Sequence, residues 1–399
     1  MQVTKNAACL LLMLSVCAAA IAQTPPNEKP KLKHFGSSLD RLKWDKDKQA
    51  AVEKSSPAKA LDNDEDVIRV DAQLIASDVL VVGRQGPVSN LTKDDFVITE
   101  DGQPQTIGHF SVGSDPKVPK TIVLIIDYSG SELPYLGKSI AAAKVLIDHL
   151  GPNDRMAIVT DDVEMLIGFT NDKQKLKHKL DDLLAWIRPG HLGKSRQFSA
   201  LMATVRELIS NEDIRPIIIF QTDGDERSFM RPALDPKNLP PTFRNFGIPD
   251  VLSALEKSRA TVYTVIPNIR LIGVPPEEFP ERAEKILDLE VSPFGFKISH
   301  TKKEAIRYAE VFFLPCQRAA AEVATATGGW TAFLEHPEQA DDIYRGILAD
   351  VNSRYVVGYY YPADRPRDGK RHTFSIAVKN HPEYQIQGRK SYIAQQANQ

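Results

Sequence analysis

One stretch organises this sequence: Thr121-Ile122-Val123-Leu124-Ile125-Ile126-Asp127-Tyr128-Ser129-Gly130-Ser131. Its apolar half shows no alternation with polar residues, which is typical of a strand buried on both faces in a parallel sheet. Asp127, Ser129 and Ser131 follow at the carboxyl end of that strand, where ligands bind in open α/β sheets. One carboxylate and two hydroxyls in a short loop suit a hard cation such as Mg²⁺. The stretch therefore predicts a metal-binding loop at the end of a central strand.

A second apolar run, Ile217 to Phe220, also ends in an acidic loop, which contains Asp223. Because parallel neighbours end at the same edge of a sheet, Asp223 is expected to face Asp127. A third hydroxyl is expected from Ser199, at the N-cap of a helix that begins near Ala200. The predicted metal ligands are therefore Asp127, Ser129, Ser131, Ser199 and Asp223. From the residues alone a second interpretation stays open, in which this is a polar loop whose hydroxyls only cap the next helix.

Residues 119–353 alternate between helix-like and strand-like patterns. After the Asp127 loop, apolar residues recur at steps of four and three and mark one face of a helix: Leu136, Ile140, Ala143 and Ile147. A hairpin is expected over residues 156–169, followed by further helices and strands. This alternation predicts an α/β domain, with a doubly wound, mostly parallel sheet covered by helices on both sides.

Short β-type runs lie on both sides of that domain, in residues 67–118 and 354–396. Each set is too small to form a stable sheet by itself. We therefore expect the two sets to pack on each other. The α/β domain would then be inserted in a small all-β sandwich built from both ends of the chain.

Residues 1–22 have the pattern of a signal peptide, with a basic residue, an apolar core from Ala7 to Val16 and the cleavage motif Ala20-Ile21-Ala22. The apolar core is too short to cross a membrane stably. We expect cleavage and a secreted or periplasmic protein. A lipid anchor at Cys17 is a second interpretation, because Leu14 lies three residues before it.

Residues 23–66 are rich in Lys, Asp, Pro and Ala, which predicts a disordered linker. The alternative is a short helical contact made by Phe35, Leu39, Leu42 and Trp44. Removal of the signal peptide would leave Cys316 as the only cysteine, so no internal disulfide is expected. The net charge of −2 gives no argument for nucleic acid or an anionic membrane as partner.

Two stretches are longer than an α/β sheet requires. Residues 226–249 follow the Asp223 loop directly and are expected to lie over the metal site, where long loops are commonly functional. A passive surface excursion is the alternative. Residues 267–315 contain two helix-like segments, and their role cannot be inferred from the sequence.

Several motifs occur together in this chain: Leu91-Thr92-Lys93-Asp94-Asp95-Phe96, Glu100-Asp101-Gly102, Asp127 to Ser131, Thr327-Gly328-Gly329 and Tyr355-Val356-Val357-Gly358-Tyr359-Tyr360. With these motifs the sequence resembles a bacterial family of exported proteins related to the von Willebrand factor type A domain. The resemblance covers both flanks as well as the centre of the chain. It implies the type A fold and a metal-ion-dependent adhesion site, in a family whose members mostly have no assigned biochemical role.

The leading hypothesis is a non-enzymatic, metal-dependent protein-binding or adhesion module. Mg²⁺, or Mn²⁺ or Ca²⁺ in its place, would bind the predicted ligands, and an Asp or Glu carboxylate of a protein partner would complete its coordination. One alternative is a Mg²⁺-dependent phosphohydrolase with Asp127 as nucleophile, although Ser129 stands where a second acid is usual. Another is a structural module with a vestigial metal site, because the family usually has Thr where Ser199 stands.

Overall fold

The computed structural model of the chain describes residues 33–45, 47–48, 50–53, 74–115, 117–188, 191–209, 215–226, 246–289, 299–361 and 368–394. The strands in these residues are β1 Lys33–His34, β2 Leu42–Asp45, β3 Ala50–Glu53, β4 Leu74–Gly83, β5 Gly86–Pro87, β6 Phe96–Glu100, β7 Gln103–Gln105, β8 His109–Val112, β9 Lys120–Ile126, β10 Arg155–Thr160, β11 Glu164–Thr170, β12 Arg215–Gln221, β13 Thr261–Ile266, β14 Thr331–Phe333, β15 Tyr355–Tyr360, β16 Arg371–Val378, β17 Gln385–Gln387 and β18 Ser391–Ile393. The α-helices are α1 Ser37–Asp40, α2 Leu133–Asp148, α3 Lys173–Trp186, α4 Gln197–Ala203, α5 Ile248–Lys257, α6 Phe279–Leu289, α7 Lys302–Tyr308, α8 Leu314–Ala326 and α9 Ala340–Ser353. Short 3₁₀ turns lie at Lys93–Asp95, Gly130–Glu132 and Pro337–Gln339, and π-helical turns at Thr204–Leu208 and Ala309–Phe313.

A seven-stranded sheet with the order β1-β11-β10-β9-β12-β13-β14 lies at the centre of the larger domain. The strands from β10 to β14 along this order are parallel, whereas β11 and β1 add antiparallel pairs at one edge. β9 and β12 are neighbours in the middle of the sheet and bury every residue. Burial on both faces explains their unbroken apolar sequences. The predicted α/β class with a mostly parallel sheet is confirmed.

Helices cover both faces of this sheet, and β9 contributes to the core on each face because its successive side chains point in opposite directions. Ile122, Leu124 and Ile126 pack with buried residues of α2, α3 and α9. Val123 and Ile125 pack with buried residues of α4 and α5 on the other face. The sheet is therefore covered on both sides, as the alternating sequence pattern predicts.

The second part of the molecule is made of two antiparallel sheets, ordered β17-β4-β15-β8 and β18-β16-β6-β7. Both sheets combine strands from the two ends of the chain: β15 lies between β4 and β8, and β16 pairs with β6. The two sheets share one apolar core. The predicted β-sandwich built from both chain ends is confirmed.

The C-terminal part of the sandwich has four strands. The run from Tyr384 to Ala394 is divided at residues 388–390, because β17 pairs with β4 in one sheet and β18 pairs with β16 in the other. Gly388 lies at this crossing, and a Cβ atom there would be 2.7 Å from a methyl group of Val79. The close approach of the backbone explains the glycine.

Arg215, at the start of β12, connects the two parts of the molecule. Its side chain is fully buried and donates from Nε to Asp78 at 3.1 Å, from Nη1 to the carbonyl of Gly113 at 2.9 Å and from Nη2 to the carbonyl of Val351 at 2.8 Å. A buried guanidinium with these partners is well satisfied. The sandwich and the α/β domain therefore share a polar contact with fixed geometry.

The segment before the sandwich differs from the expected linker. β1 pairs with β11 at the edge of the large sheet, and three apolar side chains that follow are buried in the core beside α4: Phe35, Leu39 and Leu42. The linker prediction for residues 23–66 is therefore wrong for the described part of residues 33–53. Contacts with residues far along the chain hold this part in place, which a compositional argument does not detect.

The described part of residues 267–315 is mainly helical, and α6, α7 and the following turn pack around Ile269 and Leu271. Residues 290–298 of this stretch lie outside the described residues, as do the predicted signal peptide 1–22 and residues 227–245 of the loop expected over the metal site. Among the helices that the structure describes, none has both the length and the apolar character needed to cross a membrane.

Candidate metal centre

Asp127 and Asp223 lie at the carboxyl ends of the two central strands. In the parallel pair β9–β12, Ile126 is aligned with Gln221, and the backbone N–H of Asp127 donates to the Gln221 carbonyl at 3.1 Å. Both aspartates are buried, and one oxygen of each lies within 4.8 Å of the other. The two acidic loops therefore meet at one point, as the two apolar runs indicate.

The Asp-x-Ser-x-Ser loop folds back on its own aspartate. The backbone N–H of Ser129 donates to Asp127 Oδ1 at 2.9 Å, and the hydroxyls of Ser129 and Ser131 lie 3.3 Å apart. The Ser131 hydroxyl also hydrogen-bonds to Asp223. The structure thus brings together four of the five predicted ligands: Asp127, Ser129, Ser131 and Asp223.

Ser199, the fifth predicted ligand, lies inside α4 rather than at its N-cap. The helix begins at Gln197, and both the backbone N–H and the hydroxyl of Ser199 donate to the carboxylate of Glu226, at 2.9 and 2.6 Å. Glu226 thereby takes the capping role that the sequence assigns to Ser199, since it satisfies an N–H of the first helical turn. The predicted cap is corrected accordingly. The role of Ser199 as a metal ligand stays a prediction.

Gln197 connects the two acidic loops, although the sequence analysis does not single it out. Its Nε2 donates to Asp127 Oδ2 at 2.7 Å and to Asp225 Oδ1 at 2.8 Å, and the side chain is fully buried. An amide group that donates to two carboxylates holds them in place but brings no positive charge. Gln197 therefore does not offset the electrostatic repulsion between the acidic groups.

Glu132 is a further acidic residue of the site that the sequence analysis does not identify. It directly follows the loop, in the 3₁₀ turn before α2. Its side chain is 0% exposed, and neither carboxylate oxygen has a hydrogen-bond partner. One of its oxygens lies within 4.8 Å of oxygens of Asp127 and Asp223. Three carboxylates thus converge beneath the loop.

The sequence does contain a signal for the burial of Glu132. The buried stripe of α2 includes Leu136 and Ile140, and Glu132 stands four residues before Leu136, one turn earlier on the same face. An acidic residue near a helix N-terminus is also favoured by the helix dipole. From the sequence alone, the helix dipole is a sufficient explanation for Glu132, so its burial on the apolar face of α2 is easily overlooked.

The crowding of acidic groups raises their pKa values. Burial and the nearby charge of Asp225 raise the pKa of Asp127 to about 6. Burial, with the charges of Asp225 and Asp127, holds the pKa of Asp223 well above its usual value. Burial and the charge of Asp127 do the same to the pKa of Glu132. All three shifts have the direction expected for carboxylates that lack a positive charge among them.

The donor set fits a hard divalent cation. Carboxylate and hydroxyl oxygens are the ligands that Mg²⁺, Mn²⁺ and Ca²⁺ prefer, and the buried, unpartnered oxygens of Glu132 point to an unmet need for positive charge. The residues that could hold such an ion are Asp127, Ser129, Ser131, Glu132 and Asp223.

The central part of the chain matches a known domain family. Residues 122–226 match the family model of the von Willebrand factor type A domain, and a search of curated proteins finds no match to the chain. A structure of BatB from Bacteroides thetaiotaomicron is 18% identical, with a TM-score of 0.34, and the match covers 58% of this chain and 98% of that one. The vWF domain of the type V pili tip protein Mfa5 from Porphyromonas gingivalis is 13% identical, with a TM-score of 0.36, over 59% of this chain and 95% of that one.

The matched residues 122–226 include both central strands and both acidic loops. The family model thus falls on the part of the fold that forms the site. The chain is a protein related to the von Willebrand factor type A family, with the type A domain inserted in a β-sandwich.

Proposed function

We propose that this protein is an exported, non-enzymatic binding module that attaches to a protein partner through a divalent cation. The observation that carries the proposal is the convergence of Asp127, Glu132 and Asp223, with oxygens within 4.8 Å of one another at the carboxyl edge of the sheet. Ligand sites of open α/β sheets occupy this edge. Within the described part of the chain, no basic side chain forms a hydrogen bond or an ion pair with these three carboxylates, so a cation would supply the missing positive charge.

Asp127, Ser129, Ser131 and Asp223 would hold the cation, directly or through water, and Ser199 would join them if its hydroxyl turned from Glu226. When bound, Mg²⁺, Mn²⁺ or Ca²⁺ supplies a Lewis-acidic position for an oxygen from outside the protein. An Asp or Glu carboxylate of the partner is the group proposed for that position.

Exposed side chains at the end of the loop support contact with a macromolecule. Asp127 and Ser129 are 1% and 2% exposed, whereas Ser131 is partly exposed. Leu133, two residues further on, is 42% exposed although it is a large apolar residue. A polar site just beneath the surface with an apolar side chain at its rim suits a protein partner, because interface centres combine apolar contact with a few polar groups.

Binding experiments with and without the cation test the proposal. Purified protein immobilised with Mg²⁺ should retain a partner from the organism's exported fraction, and EDTA should release it. Asp127→Ala and Asp223→Ala should retain nothing, while keeping the circular dichroism of the parent. Retention by either variant as strong as that of the parent would contradict the mechanism.

Export is part of the proposal and rests on residues 1–22 alone. Expression of the full chain with a C-terminal tag, followed by fractionation and mass spectrometry, should give a mature protein that begins near Gln23 outside the cytoplasm. A protein that remains in the cytoplasm with residues 1–22 intact would remove this part of the proposal.

A further inference from the structure

Glu132 differs from the other acidic residues of the site in having no partner at all. Asp127 accepts hydrogen bonds from Ser129, Gln197 and Thr222, and Asp223 accepts one from the backbone N–H of Asp225. Both oxygens of Glu132 are buried without a hydrogen bond. Burying a carboxylate without a partner costs several kcal/mol, as an order of magnitude. A side chain that served only to fill space would not need to be acidic.

The oxygens are close enough to share one ion. Two oxygens bound to the same ion lie at most two bond lengths apart, which is ~4.2 Å for Mg²⁺ and ~4.6–5.2 Å for Ca²⁺. One oxygen each from Asp127, Glu132 and Asp223 lies within 4.8 Å of the others. The spacing is therefore compatible with a single coordination sphere.

The number and type of donors also favour the larger ion. Mg²⁺ usually keeps several waters and takes one or two carboxylates, whereas Ca²⁺ takes six to eight oxygen ligands, waters included, in flexible geometry. Asp127, Glu132 and Asp223 offer three carboxylates, and Ser129 and Ser131 add two neighbouring hydroxyls. Three carboxylates are more than Mg²⁺ usually takes from a protein, and the whole set leaves about one to three positions of a Ca²⁺ ion for water or a partner's oxygen.

We propose that Glu132 is a third carboxylate ligand of the bound cation and that it gives the site a preference for Ca²⁺ over Mg²⁺. This inference rests on the proposed function, since it concerns the same ion. It goes further by assigning the ion's identity and a ligand outside the Asp-x-Ser-x-Ser loop.

Titration calorimetry with CaCl₂ and MgCl₂ on the full protein tests the inference. The parent should bind Ca²⁺ more tightly than Mg²⁺. Glu132→Gln, which keeps the shape and removes the charge, should lose at least about 10–100-fold in Ca²⁺ affinity, the loss typical of changes around a metal site. Its loss in Mg²⁺ affinity should be smaller. The matched control is Glu338→Gln, which removes the same charge from an exposed position and should bind as the parent does.

A second readout counts the ligands directly. With Eu³⁺ in place of Ca²⁺, luminescence lifetimes in H₂O and D₂O give the number of waters on the ion, and this number should rise by about one in Glu132→Gln as water replaces the carboxylate oxygen. Should Glu132→Gln fail to fold, Glu132→Asp keeps the charge but withdraws the oxygen by one methylene, and the same rise is expected.

The outcomes separate the two proposals. If the parent binds Ca²⁺ and Asp223→Asn does not, but Glu132→Gln binds it as tightly as the parent, Glu132 is a bystander and only this inference fails. A parent that binds Mg²⁺ more tightly than Ca²⁺ also overturns it. A parent that takes up neither cation overturns this inference and the proposed function together.

Discussion

Two clusters of possible metal ligands in this protein are alike in spacing and differ in their surroundings. Asp127, Glu132 and Asp223 converge at the edge of the central sheet, and Glu100, Asp101 and His372 converge in the sandwich, each set with its oxygens or nitrogens within 4.8 Å. By proximity alone both could hold a metal ion. The hydrogen bonds of the described residues place a histidine against the second cluster and no basic side chain against the first.

In the sandwich cluster a histidine lies between the acidic groups. The two ring nitrogens of His372 face Asp101 at 2.8 Å and Asp368 at 3.1 Å, and Glu100 accepts a short hydrogen bond from the Tyr392 hydroxyl. Both contacts favour the charged form of the imidazole and raise the pKa of His372. The sheet-edge cluster has serine hydroxyls and the Gln197 amide, which bring no charge. Converging acidic groups therefore indicate a metal site only where no basic side chain of the protein lies among them.

The largest expected difference between the clusters is in cation uptake. Asp127→Asn or Asp223→Asn should abolish calorimetrically detectable binding of Mg²⁺, Mn²⁺ and Ca²⁺, because each removes a charged ligand and costs more than the roughly 10–100-fold of an outer-sphere change. His372→Gln should bind these ions as the parent does. Equal loss in His372→Gln would place the ion in the sandwich instead.

The second largest difference between the clusters is expected in how much the bound cation raises the thermal stability. A ligand present at about 100 times its Kd stabilises the folded state by roughly 2.7 kcal/mol. The melting temperature of the parent, followed by circular dichroism, should therefore fall by several degrees when EDTA removes the cation. His372→Gln should show the same fall, and Asp223→Asn should show none. If EDTA does not change the melting temperature of the parent, the metal site is vestigial.

Substitution of Ser199 should have a smaller effect on cation binding, and it tests whether Ser199 is a direct metal ligand. Removing its hydroxyl in Ser199→Ala leaves one oxygen of the buried Glu226 without its 2.6 Å partner, which should cost about 1–3 kcal/mol in urea unfolding. Cation affinity should drop about tenfold, as for a ligand that acts through water. Ser199→Thr keeps the hydroxyl and is the control. A complete loss of cation binding in Ser199→Ala would make Ser199 a direct ligand.

The smallest effect concerns pH and the sandwich cluster. Burial disfavours the charged imidazole of His372, but the hydrogen bonds to Asp101 and Asp368 prevail and raise its pKa. Glu100 lies 3.7 Å from the ring and Tyr392 stacks on it. Because the pKa is higher in the folded than in the unfolded state, the stabilisation is complete below about pH 6.5 and is lost as pH rises through the folded value.

The measurement compares parent and His372→Gln in urea at a series of pH values, with the cation present throughout. The parent should be more stable by about 0.5–1 kcal/mol at pH 6, since both acidic partners are near the surface. The difference should shrink steadily towards pH 9. A difference that grows with pH would show that the imidazole is neutral in the folded protein.

The centre of the fold and part of the site could be predicted because their signals are local. An apolar run without alternation identifies β9 and β12 as buried strands, and the rule for parallel sheets then brings Asp127 and Asp223 together. The Asp-x-Ser-x-Ser loop needs no distant contact to project its oxygens. These features follow from short stretches of sequence read one at a time.

The features that the sequence did not reveal depend on contacts between distant residues. The start of α4 is shifted because Glu226, 27 residues further on, caps it. Residues 33–53 have the composition of a linker, yet the carboxylate of Glu207 accepts hydrogen bonds from the backbone of Gly36 and Ser38, at 2.9 and 2.7 Å. Glu132 appears as a surface acid until the burial of its helical face is known. Such partners leave no pattern in the neighbouring residues.

The insertion of the type A domain has a topological consequence. β8 and β15, which flank it in the chain, are paired antiparallel with Val112 opposite Tyr355, and the Gly113 N–H donates to the Arg354 carbonyl at 2.6 Å. β8 and β15 are therefore paired like the two strands of a β-hairpin, with a whole domain in place of the turn. Exchange of that domain at this junction would re-pair no strand of the sandwich, but β1, which pairs with β11, would lose its partner.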